Sequence, residues 1–72
     1  MSRQLEFHLR GEFIELHNLL KLSGACDSGG AGKALVAEGR VLVDGAVESR
    51  KTAKIRVGQV VSIGDMQISV VA

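Results

Sequence analysis

The first stretch of the chain alternates apolar and polar residues. Residues 5–10 read LEFHLR, with Leu5, Phe7 and Leu9 on one side of the backbone and polar side chains on the other. A two-residue period of this kind is typical of a half-buried β-strand. We therefore predict a strand at the start of the fold.

The apolar period then lengthens to that of a helix. After Gly11, apolar residues recur at three- and four-residue spacing from Phe13 to Leu22. Gly24 is a suitable end for this helix, because glycine readily adopts the left-handed conformation that closes helices. The pattern predicts a first helix over about residues 13–22.

A second helix is predicted to begin near residue 28 and to end at Gly39. Either Asp27 or Ser28 can cap it, since both side chains accept hydrogen bonds from the free N–H groups of a first turn. The residues expected on its inner face are Ala31, Leu35 and Val36.

Two strand pairs follow the helices. Residues 40–48 form two β-prone runs around Asp44-Gly45, and Asp-Gly strongly favours a two-residue hairpin turn. Residues 60–63 and 66–71 repeat the pattern around residues 64–65. The order predicts an α+β fold in which two short helices pack on a small antiparallel β-sheet. At 72 residues, the chain is expected to form a single domain, residues 1–72.

The sequence SGGAGK, residues 28–33, raises the question of a nucleotide-binding loop. A P-loop requires glycine where this chain has Asp27, and Ser or Thr where it has Ala34. The P-loop interpretation is therefore excluded. On a helix, Gly29, Gly30 and Lys33 share one outward side, and a bare helix start favours anions. Close packing of these glycines against a neighbouring element is the alternative, and the two can coexist.

Composition narrows the class of protein. The chain has one cysteine, Cys26, and no apolar run near the ~20 residues that a membrane span needs. We expect a soluble cytoplasmic protein without a membrane partner. Phe7 and Phe13 are its only aromatic residues, so reading of single bases by stacking is not expected.

Charge is unevenly distributed although the net charge is only +1. Residues 49–56, SRKTAKIR, contain four cationic side chains and no acidic one. A solvated loop would explain this run. A one-sided basic patch that binds an anionic polymer is the alternative.

Residues 16–63 resemble the RNA-binding domain named for ribosomal small-subunit protein four, also called the alpha-L motif. The family pattern is a serine that opens a helix, then a lysine, an apolar pair, Gly-x-Val, a Val-Asn-Gly hairpin, a basic connection and a closing strand entry. The matching positions follow in register: Ser28, Lys33, Leu35-Val36, Gly39-Arg40-Val41, Val43-Asp44-Gly45 and residues 57–60. The core motif spans about residues 13–63.

The resemblance extends to both ends of the chain in the small stand-alone bacterial YbcJ-like group. The shared wording is LLKL, SG, AEG, VDGAVE and VVA. Two positions depart from the general family, which has Arg where this chain has Gly29 and Asn where it has Asp44. The YbcJ-like group shares both departures, which marks a subgroup of the same fold.

The resemblance implies a non-catalytic protein that binds the backbone and shape of structured RNA, with ribosomal or ribosome-associated RNA as the expected partner. The predicted RNA-binding residues are Ser28, Lys33, Arg40, Arg50, Lys51 and Lys54. Backbone contacts are predicted at Gly29, Gly30, Asp44 and Gly45.

Other functions find less support in the sequence. No nucleophile–base set or carboxylate pair stands out, so neither catalysis nor a small-molecule substrate is expected, and no cofactor is implied. His8, His17 and Cys26 lack the paired spacing of a metal site. The alternative function is a protein-interaction module that docks on a larger, ribosome-associated protein. An exposed apolar patch would favour that alternative.

Overall fold

A computed structural model gives the structure of residues 3–72. Residues 1 and 2 of the predicted domain lie outside this range. The elements, in chain order, are β1 (Arg3–His8), β2 (Ile14–Glu15), α1 (Leu16–Leu22), α2 (Gly29–Ala37), β3 (Val41–Val43), β4 (Ala46–Val47), β5 (Lys54–Ile55), β6 (Val60–Ile63) and β7 (Met66–Val71). The predicted α+β class, with two helices and a small sheet, is confirmed.

The main sheet has five strands in the order β1-β7-β6-β3-β4, and β2 pairs separately with β5. Its β3–β4, β3–β6 and β6–β7 pairs are antiparallel, whereas β1 pairs with β7 in parallel, so the sheet is mixed. The β1 register sets Leu5 beside Ile68 and Phe7 beside Val70. The apolar side of the first strand therefore continues the apolar side of β7, as its alternation requires.

Both helices end as predicted, at a glycine with positive φ. Gly24 has φ +86° and Gly39 has φ +73°. After α2, the N–H of Gly39 donates to Val36 O and the N–H of Arg40 donates to Leu35 O. The residues after α1 make the same pair of bonds, so each helix closes with a Schellman motif.

The core lies between the helices and one face of the sheet. Its fully buried side chains come from α1, α2, β3, β5, β6 and β7: Leu16, Leu19, Leu20, Val36, Val41, Ile55, Val61, Ile68 and Val70. Helix α1 contributes three of these nine side chains, more than any other element.

Two details of the helices differ from the prediction. Phe13 and Ile14 precede α1, because residues 14–15 extend to pair with β5 before the helix begins at Leu16. In α2 the inward residue of the first turn is Gly32, and Ala31 is exposed. The close approach of the two helices selects the residue without a side chain for the buried position.

Candidate nucleic-acid interface

The basic run of residues 49–56, called the basic loop from here on, follows β4 and is attached to the start of α1. The N–H of Leu16 donates to Ala53 O at 2.9 Å, and the N–H of His17 donates to Lys51 O at 3.0 Å. A helix start has N–H groups without intrahelical partners, and here the loop carbonyls satisfy two of them. The loop backbone is thereby held in place, while the side chains of Lys51 and Lys54 remain exposed.

His17 connects this loop to helix α2. Its side chain is 13% exposed, with Nε2 3.5 Å from a carboxylate oxygen of Glu15. A Cβ at Gly32 would lie 3.0 Å from the backbone oxygen of His17, and one at Gly29 would lie 4.0 Å from its Nδ1. The loop, the first turn of α1 and the first turns of α2 therefore meet at one junction.

The start of α2 is built as the sequence predicts. Ser28 is the N-cap, and its Oγ accepts a hydrogen bond from the N–H of Ala31 at 3.1 Å. The first intrahelical bond runs from Gly32 N–H to Ser28 O, so the N–H groups of Gly29 and Gly30 precede the ladder. Lys33 is exposed one turn after Gly29. This end of α2 presents free N–H groups and a cation, a combination suited to an anion.

Arg40 and Arg50 lie at the base of the β3–β4 hairpin, each beside an acidic residue. Arg40 Nη1 is 3.6 Å from Glu38 Oε1, and Arg50 Nε is 3.4 Å from Glu48 Oε2. The N–H of Glu48 donates to Val41 O at 3.0 Å, which joins the two ends of the hairpin. Each arginine therefore has a carboxylate of this chain beside it, and the guanidinium N–H groups outside that contact can still reach a phosphate.

The Glu48 carboxylate has a second partner in its own loop. The backbone N–H of Arg50 donates to it at 3.0 Å and is the main cause of the lowered pKa of Glu48, followed by the Arg50 side chain. A carboxylate with a lowered pKa stays ionised at neutral pH. It therefore orients Arg50 in the absence of an anionic ligand.

The hairpin tip holds the other predicted backbone contacts. Asp44 and Gly45 both have positive φ, at 52° and 86°, as a type I′ turn requires. The Asp44 carboxylate accepts hydrogen bonds from Val60 N–H at 3.0 Å and from the Gln59 side-chain amide at 3.4 Å. Its charge is thus used to tie the hairpin to β6, and RNA contact at this turn remains a prediction.

A concave pocket of about 410 Å³ opens beside the basic loop. It is lined by Arg50, Thr52, Ala53 and Lys54. Two of these four residues carry a positive charge, and Thr52 adds a hydroxyl group that can donate a hydrogen bond. The pocket has the charge and the donors to receive a phosphodiester group.

One residue of this region, Phe13, is not identified by the sequence as part of it. Phe13 is partly exposed, with Lys54 Nζ 4.9 Å and Arg56 Cζ 5.8 Å from its ring centroid. Arg56 also donates to the backbone oxygen of Glu12 at 3.4 Å. The spacing of apolar residues predicts Phe13 in the first helix, and no local pattern signals its contact with Lys54 and Arg56 about forty residues later.

Within residues 3–72, no group of three or more His, Cys, Asp or Glu side chains is placed to hold a metal ion. Neither helix of that range is long and apolar enough to cross a membrane.

The predicted RNA-binding residues outside the hairpin turn are called the basic surface: Ser28, Gly29, Gly30, Lys33, Arg40, Arg50, Lys51 and Lys54.

The class of fold is defined by two helices on a small sheet, with a basic loop attached to the first helix. The S4 domain family model matches residues 7–71, and the chain belongs to the S4-domain family.

The particular relatives are YbcJ proteins. The chain is 52% identical over 59 residues to the Escherichia coli (strain K12) protein named "Putative RNA-binding protein YbcJ", covering 82% of this chain and 84% of that protein. It matches "Uncharacterized protein YbcJ" of Shigella flexneri to the same extent. The resemblance inferred from the motifs is confirmed.

A solved structure supports the same relationship. The solution structure of YbcJ from E. coli, described as revealing an alpha-L motif involved in RNA binding, superposes with a TM-score of 0.75. The two chains are 48% identical, and the match covers 100% of this chain and 92% of that one. The alpha-L fold predicted from the sequence is confirmed.

Proposed function

We propose that this protein is a non-catalytic RNA-binding protein that uses the basic surface. The observation that carries the proposal is the junction at His17, which fixes the basic loop against the first turns of α2. The backbone N–H of His17 donates to Lys51 O, and a Cβ at Gly29 would lie 4.0 Å from its Nδ1, so Lys51 and the start of α2 flank the same residue. The RNA-binding descriptions of the YbcJ relatives support the same conclusion.

The mode of recognition follows from the chemistry of this surface. Its groups are lysines, arginines, a hydroxyl and backbone N–H groups, all of which can donate hydrogen bonds to phosphate oxygens. Phe13, the aromatic residue nearest the basic loop, already contacts Lys54 and Arg56. We infer recognition of RNA backbone and shape, with no catalytic step.

We place the target among structured RNAs, with ribosomal or ribosome-associated RNA as the first choice. A surface fixed by hydrogen bonds is complementary to one arrangement of phosphates, which a folded RNA presents and a flexible strand must be ordered to adopt. The resemblance to a ribosomal protein domain supports the ribosomal choice.

A competition assay tests the preference for structure. A labelled RNA hairpin with an internal loop is bound to the protein and displaced by either the unlabelled hairpin or an unpaired strand of equal length and composition. We expect the hairpin to compete at a concentration at least about tenfold lower than the unpaired strand, because a folded RNA loses less conformational entropy when it binds. Equal competition by the two RNAs at the same salt concentration would contradict the preference.

A further inference from the structure

The basic loop contains a tight turn that is anchored on both sides. The N–H of Ala53 donates to Arg50 O at 3.1 Å, which closes a turn over residues 50–53. On one side of this turn, Ala53 O and Lys51 O accept hydrogen bonds from the first N–H groups of α1. On the other side, the N–H of Arg50 donates to the Glu48 carboxylate at 3.0 Å. The turn therefore depends on a side chain for one of its anchors.

Glu48 is itself fixed to the sheet. Its N–H donates to Val41 O at 3.0 Å, across the β3–β4 hairpin. Its side chain is 20% exposed, compared with 56% for Glu38, which also lies beside an arginine of the basic surface. The carboxylate is thus presented from a fixed strand end, and its hydrogen bond transfers that order to the backbone at Arg50.

The charge of Glu48 strengthens this anchor. The hydrogen bond from the Arg50 N–H is the main cause of the lowered pKa of Glu48, so the carboxylate is ionised at neutral pH. A hydrogen bond to an ionised acceptor is stronger than one between neutral groups. Without the carboxylate, the backbone that follows β4 would lose its bond to the hairpin and gain conformational freedom.

The same carboxylate restricts the Arg50 side chain. Glu48 Oε2 lies 3.4 Å from Arg50 Nε. This contact uses one of the five N–H donors of the guanidinium, and the other four are on its two terminal amino groups. The Arg50 side chain is 77% exposed and lines the pocket of about 410 Å³ together with Thr52 and Lys54. Glu48 therefore orders Arg50 while leaving donors for a phosphate.

An acidic residue beside a phosphate-binding surface has two opposing effects. Its charge repels phosphate, and this lowers affinity. Its hydrogen bonds fix groups that would otherwise lose conformational freedom when RNA binds, and this raises affinity. Within residues 3–72, the polar contacts of the Glu38 carboxylate are limited to Arg40 Nη1, at 3.6 Å, so repulsion should dominate there. At Glu48 the additional bond to a backbone N–H makes the ordering effect the larger one.

We propose that Glu48 is a positioning residue for RNA, because its carboxylate sets the turn of the basic loop before RNA binds. Arg50 and Lys51 then meet phosphates with less loss of conformational freedom. This role rests on the proposed function, since it concerns RNA binding by the basic surface. It predicts that removing a negative charge from this surface weakens the binding of a polyanion.

Three variants, titrated with the same RNA hairpin at one salt concentration, test this role. Glu48→Ala removes both the charge and the acceptor. It should lower RNA affinity by about threefold to tenfold, the range expected when one long side chain must be ordered on binding. Glu38→Ala is the matched control, because it removes the same charge beside another arginine of the basic surface. It should leave RNA affinity unchanged or raise it.

The third variant separates the acceptor from the charge. Glu48→Gln removes the charge and keeps an oxygen that can accept the hydrogen bond from the Arg50 N–H. It should bind the hairpin at least as tightly as the wild type. Such rescue by glutamine is expected only if the hydrogen bond to the turn is what matters.

The order of the loop is measured separately, on the protein without RNA. Backbone amide NMR relaxation reports motion on the picosecond-to-nanosecond timescale. We expect the order parameters of residues 50–52 to fall in Glu48→Ala and to keep the wild-type values in the other two variants. The same spectra establish that each variant is folded.

Three results would overturn the role of Glu48. If Glu48→Ala binds RNA as tightly as Glu38→Ala, Glu48 acts through its charge alone. If Glu48→Gln binds as weakly as Glu48→Ala, the hydrogen bond to the turn does not carry the effect. If the order parameters of residues 50–52 do not change in Glu48→Ala, the turn is ordered without this anchor. A wild type that fails to bind the hairpin would instead contradict the proposed function, and with it any role in RNA binding, whatever the relaxation data show about the loop.

Discussion

Replacing Lys33 and Lys51 together with glutamate is expected to lower the affinity for a structured RNA by at least about 100-fold. Both side chains are exposed, and Lys51 lies in the loop fixed to His17. A hydrogen bond to a charged group contributes about 1.5–3 kcal/mol, so losing two corresponds to a factor of 100 or more. Charge reversal adds repulsion of the phosphates. RNA co-purified with the protein and a direct binding titration both measure the effect.

A control variant with the same change in net charge tests whether RNA affinity depends on the position of the two lysines and not on net charge alone. Arg3→Glu with Arg10→Glu alters net charge equally, and both residues are exposed on or beside β1 and are not members of the basic surface. We expect this variant to bind RNA within a few-fold of the wild type. Circular dichroism establishes that both variants are folded. Unchanged RNA recovery from a folded Lys33→Glu, Lys51→Glu variant would refute the basic surface.

Gly32→Ala is expected to destabilise the protein by up to about 2 kcal/mol, although alanine is the better helix former. A methyl group at this position would lie 3.0 Å from His17 O, 3.3 Å from Cys26 Sγ and 3.6 Å from His17 Cα. The backbone at His17 cannot easily retreat, because its N–H is bound to Lys51 O. Overpacking of about 1–3 kcal/mol therefore exceeds the gain in helix propensity of about 1 kcal/mol.

Gly30→Ala provides the matched substitution in the same helix. There a Cβ would meet only Ser28 Oγ, at an ordinary contact distance of 3.8 Å. We expect Gly30→Ala to stabilise the protein by about 0.5–1 kcal/mol through propensity alone. Urea denaturation of the two variants measures the difference in the free energy of unfolding. Equal effects at both positions would show that the helices are not closely packed at Gly32.

Most of the fold could be predicted because its signals are local. The Asp44-Gly45 turn needs positive φ at two successive residues, and the glycines after both helices supply the conformation that ends them. Ser28 caps α2 through a bond that spans three residues. Each of these features depends on neighbours in the sequence, so the sequence is sufficient to identify it.

The features that were missed depend on distant residues. The two-residue strand β2 exists because Ile14 pairs with Ile55, and a two-residue strand has no period to detect. The exchange of Ala31 for Gly32 as the inward residue of α2 reflects contact with His17 on the other helix. Similarly, nothing around β1 indicates that it will pair in parallel with β7.

In the candidate site, too, the local features can be predicted from the sequence and the long-range contacts cannot. The cations of the basic loop and the bare start of α2 are visible as a charge run and a glycine cluster. The connection between these two segments through His17 is not visible in the sequence, because backbone hydrogen bonds and packing join three segments there. His17 is not among the residues that the sequence predicts as RNA-binding. Its side chain is largely enclosed at the junction.

The salt dependence of RNA binding tests the central claim most directly, because release of counterions counts the phosphates that the protein neutralises. If about five cations of the basic surface contact phosphates, log affinity for a duplex-like RNA should fall with log salt at a slope near −4 to −5, at about 0.9 per contact. The Lys33→Glu, Lys51→Glu variant should show a slope shallower by about two. A flat slope for the wild type, or the same slope in both proteins, would contradict binding of RNA through this surface.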